Sequence, residues 1–471
     1  MIWIIAWKNI WRNKLRSSIV ILAFTLGIFA AVFAAASMIG MIEQRIKAAI
    51  RTETANIQLH HPKFKDNNDI KCYIDNFPAV ITSILKIEGI KAISSRLLIQ
   101  GMANTAANSA GVMVCGVQPN EEIKVSELYK CFPPRGGKYL SENNPNEIVL
   151  GEKLAKELQL TYYLIDDSVI SLLNNKFPQK HLLDSLKNIK FRSEKDLDNK
   201  IKKHWNKPLS QYYLHKLKTN SLHYNLRNKI ILTFQTPNGD ITGAAFRVCG
   251  IYKTKNAMFD AMNVFVNKKT LLELSGVPSD KCHEIAILTE DKIIEADIIK
   301  IIQKQFPSLL TEDWREIQPD AGYMAEMSNF MITIYLIIIL LALCFGIINT
   351  MLMVVLERTR ELGMLKAVGM NNRRVFSMLM LETVMLCLVG TILGMLLSYF
   401  VILYTSRTGI DLSWLYGKGF EQWGFDAFFY PKISLSDFIQ TTILVIITGI
   451  ISSIVPARKA LKLNPINAIR Q

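Results

Sequence analysis

Long stretches with no charged residue alternate along the chain with polar ones, and the longest polar stretch separates the first apolar run from the other three. Ile19 to Ile42, Met327 to Leu356, Thr383 to Ser406 and Phe438 to Ala457 contain no Asp, Glu, Lys or Arg. The shortest has 20 residues. At about 1.5 Å of rise per residue that is enough helix to cross a hydrocarbon core of roughly 30 Å. Buried helices of soluble domains are usually shorter and carry a polar stripe, so four transmembrane helices are predicted. A cleaved signal peptide is the alternative for the first run, given its basic start and the small residues Ala34, Ala35, Ala36 and Ser37. Length argues against it, because signal cores span roughly 7 to 15 residues and this run has 24. Trp3, Trp7 and Trp11 before it suit a helix lying in the membrane interface.

The segment 46–325 changes period. Ile57 to Leu59, Arg96 to Met102, Gly111 to Val117, Lys229 to Gln235, Ala244 to Tyr252 and Ile285 to Leu288 have the β-branched, alternating character of strands. Pro237-Asn238-Gly239-Asp240 supplies a hairpin turn between two of them. Phe77 to Ile87, Glu152 to Leu160, Lys268 to Leu274 and Asp291 to Gln305 carry helical spacing, so an α+β domain is predicted. Tyr162 to Asn228 departs from this, being rich in Lys, Asn, Leu and His. It is expected to be a helical insertion, either an arm that contacts substrate or partner or a surface elaboration.

Composition decides what the charge is for. Of 471 residues, 50% are hydrophobic and 20% charged, too apolar for disorder, and 55 Lys+Arg against 40 Asp+Glu give a formal charge of +15. Such an excess suits nucleic acid or an anionic membrane surface. Its placement favours the membrane. Residues 1–18 carry Lys8, Arg12, Lys14 and Arg16 with no acid, and the last stretch carries Arg458, Lys459, Lys462 and Arg470 with none. Segment 357–382 has five bases against three acids, whereas 407–437 has three against four. Lys and Arg near spans mark the cytoplasmic side, which puts both termini and 357–380 inside, and 46–325 and 407–437 outside. The charge is thereby assigned to orientation and lipid contact, and nucleic acid is not expected as a partner.

The predicted organisation is a cytoplasmic amphipathic helix (1–18), a first span (19–45), the external domain (46–325, with the insertion 162–228) and a second span (326–356). A cytoplasmic segment (357–380), a third span (381–406), a short external loop (407–437), a fourth span (438–457) and a cytoplasmic tail (458–471) follow.

Familiar chemistry is missing from this pattern. No GxxxxGK[ST] loop occurs, since Gly136-Gly137-Lys138 is followed by Tyr139, and neither HExxH nor GxSxG is present. The external cysteines, Cys72, Cys115, Cys131, Cys249 and Cys282, are odd in number and form no CxxC, which allows one incidental bridge and argues against a metal site. His60-His61 would point to opposite faces of a strand. No catalytic residue, cofactor or metal is therefore expected. All four runs lack the buried charges an ion-coupled carrier places at mid-membrane. What remains is a membrane subunit driven from outside itself.

A handle for that drive lies at Glu357 to Met370, where Leu362, Leu365 and Val368 fall on one helical face, Arg358, Arg360, Glu361 and Lys366 are available for pairing, and Gly369 is placed for a left-handed cap. From the residues alone, a docking helix and a plain juxtamembrane helix stand level. In the third span Gly390 and Gly394 have the GxxxG spacing, which either permits close packing or is simply tolerated.

These motifs resemble those of the FtsX-like permeases of the MacB/LolCDE type. Gly346-Ile347-Ile348-Asn349-Thr350-Met351-Leu352-Met353 running into Glu357-Arg358-Thr359-Arg360-Glu361-Leu362-Gly363-Met364-Leu365-Lys366-Ala367-Val368-Gly369 is similar to that family's second span and coupling helix. Pro456-Ala457-Arg458-Lys459-Ala460 with Pro465-Ile466-Asn467-Ala468-Ile469-Arg470 resembles its ending, and Ala6 to Lys14 its lead-in helix. Gly111 to Val117, Ile148 to Ala155 and Phe246 to Tyr252 resemble its MacB-like periplasmic core domain. The 162–228 stretch has no counterpart of that length in the family.

The resemblance implies a multi-pass inner-membrane permease subunit of a mechanotransmitting ABC transporter. It is paired with an identical or a sister permease and served by a separate ABC ATPase. Glu357, Arg360, Glu361, Gly363, Lys366 and Gly369 are then the expected ATPase-coupling residues. Glu312-Asp313-Trp314-Arg315-Glu316 and the Val149-Leu150-Gly151-Glu152 segment point, within the family, to lipoprotein release. Drug or peptide export with a periplasmic adaptor is the alternative, as is a signal relay to a cell-wall hydrolase or sensor.

Overall fold

The computed structural model describes residues 14–173, 183, 185–204, 211–290, 295–412 and 428–461. The expectations for residues 1–13, for Asp291 to Ile294, for 413–427 within the 407–437 loop and for 462–471 lie outside them. The described residues form two compact units, one built from residues 45–324 and the other from the flanking segments up to 44, 325–410 and beyond 428.

In the first of these units the strands are β1 (Ile57–His60), β2 (Ile90–Asn104), β3 (Ser109–Val117), β4 (Glu147–Gly151), β5 (Thr161–Leu164), β6 (Lys190–Phe191), β7 (Leu222–Tyr224), β8 (Lys229–Gln235), β9 (Ile241–Tyr252), β10 (Asn263–Asn267), β11 (Glu284–Thr289) and β12 (Leu310–Asp313). Four of them lie in the order β12-β1-β11-β2, all antiparallel. Helix Phe77–Ile84 links β1 to β2, and helix Glu295–Gln305 lies between β11 and β12. This is the split β-α-β arrangement of ferredoxin-like folds. Val80, Ile84, Ile298 and Ile302 from the helices pack on Ile57, Leu59, Ile93, Ile285 and Ile287 from the strands. An eight-residue helix is too short to stand alone, so this shared apolar face is what stabilises it.

β2 then runs on past Arg96. Leu97 to Asn104 pairs with β3, and Gly101 to Asn104 pairs on the other side with β8. The ring β2-β3-β10-β4-β9-β8 closes back on β2, with the β3–β10 and β4–β9 pairs parallel and the others antiparallel. Closure removes the exposed edges that a sheet of this length would otherwise present. Gly101 serves it directly, because a Cβ there would lie 2.6 Å from the Thr233 carbonyl oxygen. β8 and β9 are joined at the predicted turn, where Thr236 N donates to Asp240 O at 2.8 Å and Gly239 takes φ +96°.

The insertion differs from the expectation of helices alone. Helices Asp167–Leu173, Glu194–His204 and Gln211–Ser221 are present, but β5, β6 and β7 form a three-stranded sheet in the order β6-β5-β7. Strands of two to four residues complete at most two side-chain alternations, too few to separate a period of 2 from one of 3.6. Leu186, Phe191, Leu197 and Leu217 share one apolar core with Ile148, Leu150 and Phe246 of the ring, so the insertion is built into the domain.

The long helices are Lys14–Ala48, Pro319–Glu357, Asn372–Thr408 and Leu435–Leu461, with Thr359–Ala367 as a short one between the second and third; all but residues 45–48 and 319–324 of them belong to the other unit. Their apolar segments are long enough to span a membrane. Phe24, Ile28, Ala31, Val32 and Ala35 of the first are buried against its neighbours. The choice left open for the third helix is resolved: a Cβ at Gly390 would lie 2.5 Å from Phe24 Cβ, and one at Gly394 2.9 Å from Ile28 Cβ, so these glycines permit close packing.

Candidate functional site

The candidate coupling segment is built at the end of the second long helix. That helix stops at Glu357, and Arg358 O accepts from Leu362 N at 3.0 Å to start the short helix Thr359–Ala367. Arg358 turns inward, where its Nη1 lies 2.8 and 2.9 Å from the two carboxylate oxygens of Glu382, and its Nε donates to Glu361 Oε2 at 3.0 Å. Both members of the Arg358–Glu382 pair are buried, with side chains 9% and 8% exposed. Leu362 packs beside them with Val355, Val375, Met378, Leu379 and Ala457. The short helix is thus fastened to the third long helix by one ion pair and one apolar cluster.

Its exit is equally defined. Gly369 takes φ +96°, and Met370 N reaches back to Leu365 O at 3.0 Å, the 6→1 bond of a Schellman cap. Asn371 then caps the next helix, its side chain accepting from Arg373 N at 3.2 Å. The chain turns because Gly369 bears no Cβ to oppose a positive φ.

Of the expected coupling residues, Glu357 and Arg360 are exposed, Glu361 is half-buried against Arg358, Gly363 is buried on the packed side and Gly369 forms the cap. Lys366 lies in the helix, and its side chain is outside the described set. One expectation needs correction. Val368 does not share the inner face of Leu362 and Leu365; it is 90% exposed, because each step of three residues drifts around a helix of 3.6 residues per turn and the second step leaves the packed face. Arg358 does pair, with Glu361 and, in the interior, with Glu382. Sequence reasoning missed Glu382, whose only signal is a charge set directly before an uncharged run. Arg360, Met364, Ala367, Val368, Arg373 and Arg374 are exposed, a mixed basic and apolar surface.

The α+β domain has a buried charged centre of its own. Arg96, at the point where β2 passes from one sheet to the other, donates to Glu122 from Nη2 at 2.6 Å and to Glu284 from Nη1 at 2.7 Å. Burial alone would lower the Arg96 pKa, but Glu122 and Glu284 override it and hold the group above its ordinary value. Beside this centre Phe64 is stacked between two histidines, 5.9 Å from His60 and 4.9 Å from His283. Burial pushes both imidazoles down to about 4, with Lys65 adding to the effect at His60. His283 is satisfied as a neutral ring, Nδ1 accepting from Leu98 N at 3.1 Å and Nε2 contacting Ile70 O at 2.9 Å. The 3.8 Å approach of His60 to Glu284 is therefore not an ion pair at neutral pH. His61 instead accepts from Lys63 N at the surface. All seven cysteines are free thiols, and among the described residues no three His, Cys, Asp or Glu side chains gather as a metal would require.

Residues 332–465, which include this segment, match the family described as FtsX-like permease C-terminal. The chain is 26% identical over 180 residues to the probable syringafactin export ATP-binding/permease protein SyfD of Pseudomonas syringae, a match covering 38% of this chain and 25% of that protein. It is 26% identical over 234 residues to the macrolide export ATP-binding/permease protein MacB of Agrobacterium fabrum, covering 47% and 33%. It is 32% identical over 145 residues to the MacB of Photorhabdus laumondii, covering 31% and 20%. The chain thus spans about a third or less of the length of these relatives. Among solved structures, the periplasmic region of MacB from Actinobacillus actinomycetemcomitans aligns at 11% identity and a TM-score of 0.31, over 59% of this chain and 96% of that one. The family match and the relatives support the FtsX/MacB-type ABC permease family, and with the four apolar helices they indicate an inner-membrane protein.

Proposed function

We propose that this chain is the permease subunit of a mechanotransmitting ABC complex, taking motion from an ABC ATPase on its cytoplasmic side and delivering it to the α+β domain outside. The observation that carries the reading is the Thr359–Ala367 helix. It presents Arg360 and Met364 outward, with Val368 just past its end, while Leu362 and the preceding Arg358 fix it to the third long helix, in a chain with no P-loop. An element that is exposed on one side and bonded to the bundle on the other is suited to receive a push and pass it on.

On this reading Glu357, Arg360, Glu361, Gly363, Lys366 and Gly369 belong to the ATPase-coupling segment. The ATPase is a separate subunit, and a second permease, identical or sister, completes the membrane unit. Both termini are cytoplasmic. The cargo is an amphiphile handled at the outer face of the inner membrane, lipoprotein being the class the sequence motifs favour. The names of the relatives favour a second reading, export with a periplasmic adaptor, since they are described as syringafactin and macrolide exporters.

The test is purification from native membranes followed by mass spectrometry of what accompanies the chain, with Glu361→Lys alongside. Co-purification of an ABC ATPase whose turnover is uncoupled by Glu361→Lys, with the helices still folded, is the expected result. A chain that moves solute alone after reconstitution refutes it. So does a Val368→Cys variant that is labelled by an impermeant thiol reagent from the periplasmic face.

A further inference from the structure

The first long helix does not run straight into β1. Its last turns widen into a π-helical segment, Ala49–Thr54, closed by Ala55 N donating to Ile50 O at 2.8 Å. Ala55 itself sits at φ 65° and ψ −172°, a region that essentially only glycine adopts without strain. π segments are rare and concentrate where geometry is needed for function, and a strained residue persists only where its surroundings over-determine it.

The surroundings here are specific. Glu53, in the π segment, has a side chain 1% exposed. Its carboxylate accepts from Arg45 Nη1 at 3.1 Å, from Asn256 Nδ2 at 2.8 Å and from Gln318 Nε2. Arg45 belongs to the last turn of helix Lys14–Ala48. Asn256 is the cap of helix Ala257–Met262, whose first amides its Oδ1 holds at 3.0 and 3.2 Å. Gln318 is the residue before helix Pro319–Glu357. Gln58 Nε2 donates to Thr54 O at 2.7 Å, Glu127 N to Arg51 O at 2.7 Å and Trp314 N to Asn56 O at 3.0 Å, so the backbone on either side is also tied down. One buried carboxylate therefore joins the end of the first long helix, the start of the second and the body of the α+β domain. Arg45 is itself buried and Asn256 and Gln318 are half-buried, so loss of this acceptor leaves a desolvated guanidinium without its carboxylate and frees two amides from the junction.

We propose that Glu53 is a positioning residue of force transmission, holding the two long helices and β1 together as one rigid joint so that displacement of either helix is delivered to the domain without slack. This rests on the permease reading above. Glu53 touches no nucleotide and no cargo; it acts through Arg45, Asn256 and Gln318.

The experiment uses the full chain with the ABC ATPase that co-purifies from native membranes, and reads hydrogen–deuterium exchange with and without ATP plus vanadate. In the wild type, peptides covering β1 and β11 are expected to change on trapping. In Glu53→Gln, and independently in Gln318→Ala, that change is expected to be lost while ATPase turnover and the exchange of the helical core stay as in the wild type. Gln318→Ala keeps the inference testable should Glu53→Gln fail to fold. The swap Glu53→Gln/Gln318→Glu restores a carboxylate–amide bond across the same gap, and is expected to recover the response, which general destabilisation would not do. A trapping response kept in both single variants overturns the joint and leaves the permease reading standing. A wild-type complex with no response on trapping overturns that reading and the joint with it.

Discussion

Removing one partner of the Arg358–Glu382 pair is the sharpest perturbation the candidate site offers. With side chains 9% and 8% exposed and bonds of 2.8 and 2.9 Å, the pair is desolvated and well aligned. Glu382→Leu leaves a buried guanidinium whose remaining acidic partner, Glu361, is 42% exposed and compensates little. Loss of one member of such a pair costs about 3–5 kcal/mol, whereas replacing both by apolar groups is close to neutral. Cys387, 1% exposed and on the same helix as Glu382, reports the opening of the bundle. Its labelling by a thiol-reactive dye, located by mass spectrometry on the detergent-solubilised full chain, follows the population of opened molecules when reclosing is fast. A cost of about 3–5 kcal/mol raises the labelling rate by roughly two to nearly four powers of ten in Arg358→Met or Glu382→Leu. The double variant should label within about tenfold of the wild type. Single variants that label at the wild-type rate, or a double variant as fast as the singles, would refute the claim that this pair fastens the short helix to the third long one.

Gly394→Leu forces a side chain onto Ile28 and Thr25, and overpacking of about 1–3 kcal/mol should expose Cys387 to the same dye in a chain that still inserts. Gly369→Ala places a Cβ on a residue at φ +96°, costing about 1 kcal/mol, and should speed amide exchange at Met370 several-fold without loss of the bundle. His60 and His283 titrate near 6.5 when unfolded and at about 4 when folded, so neither state takes up protons at these sites above about 6.5 and stability is full there. As pH falls from 6.5 towards 4 the unfolded chain binds two protons that the fold refuses, a loss of up to about 3 kcal/mol per histidine. Histidine C2-proton exchange on the full chain measures both values, and a midpoint near 6.5 for either ring would contradict its placement.

Four long helices were legible because an uncharged run of membrane length has few other uses in a folded chain. The β8–β9 hairpin was legible because Pro237-Asn238-Gly239-Asp240 states its own turn. β10 was not, since Asn263-Val264-Phe265-Val266-Asn267 is five residues long and finds its parallel partner in β3, well over a hundred positions earlier. Within the candidate site, Gly369 announced its cap locally, whereas Arg358 and Glu382 lie 24 residues apart and pair only once two helices are laid side by side. The π segment left no trace, because its geometry is imposed by Arg45, Asn256 and Gln318 from three separate stretches of chain.

β2 belongs to two sheets at once, pairing with β11 through its first half and with β3 and β8 through its second. The two halves of the domain are joined along one unbroken strand, and at its midpoint Arg96 is bonded to Glu122 and Glu284 in the interior. A swing of one half against the other has to break that buried pairing, which resists a jaw-like opening. If the proposed function holds, the domain works as a single lever arm, and whatever it acts on must feel a tilt or a shove rather than a grip.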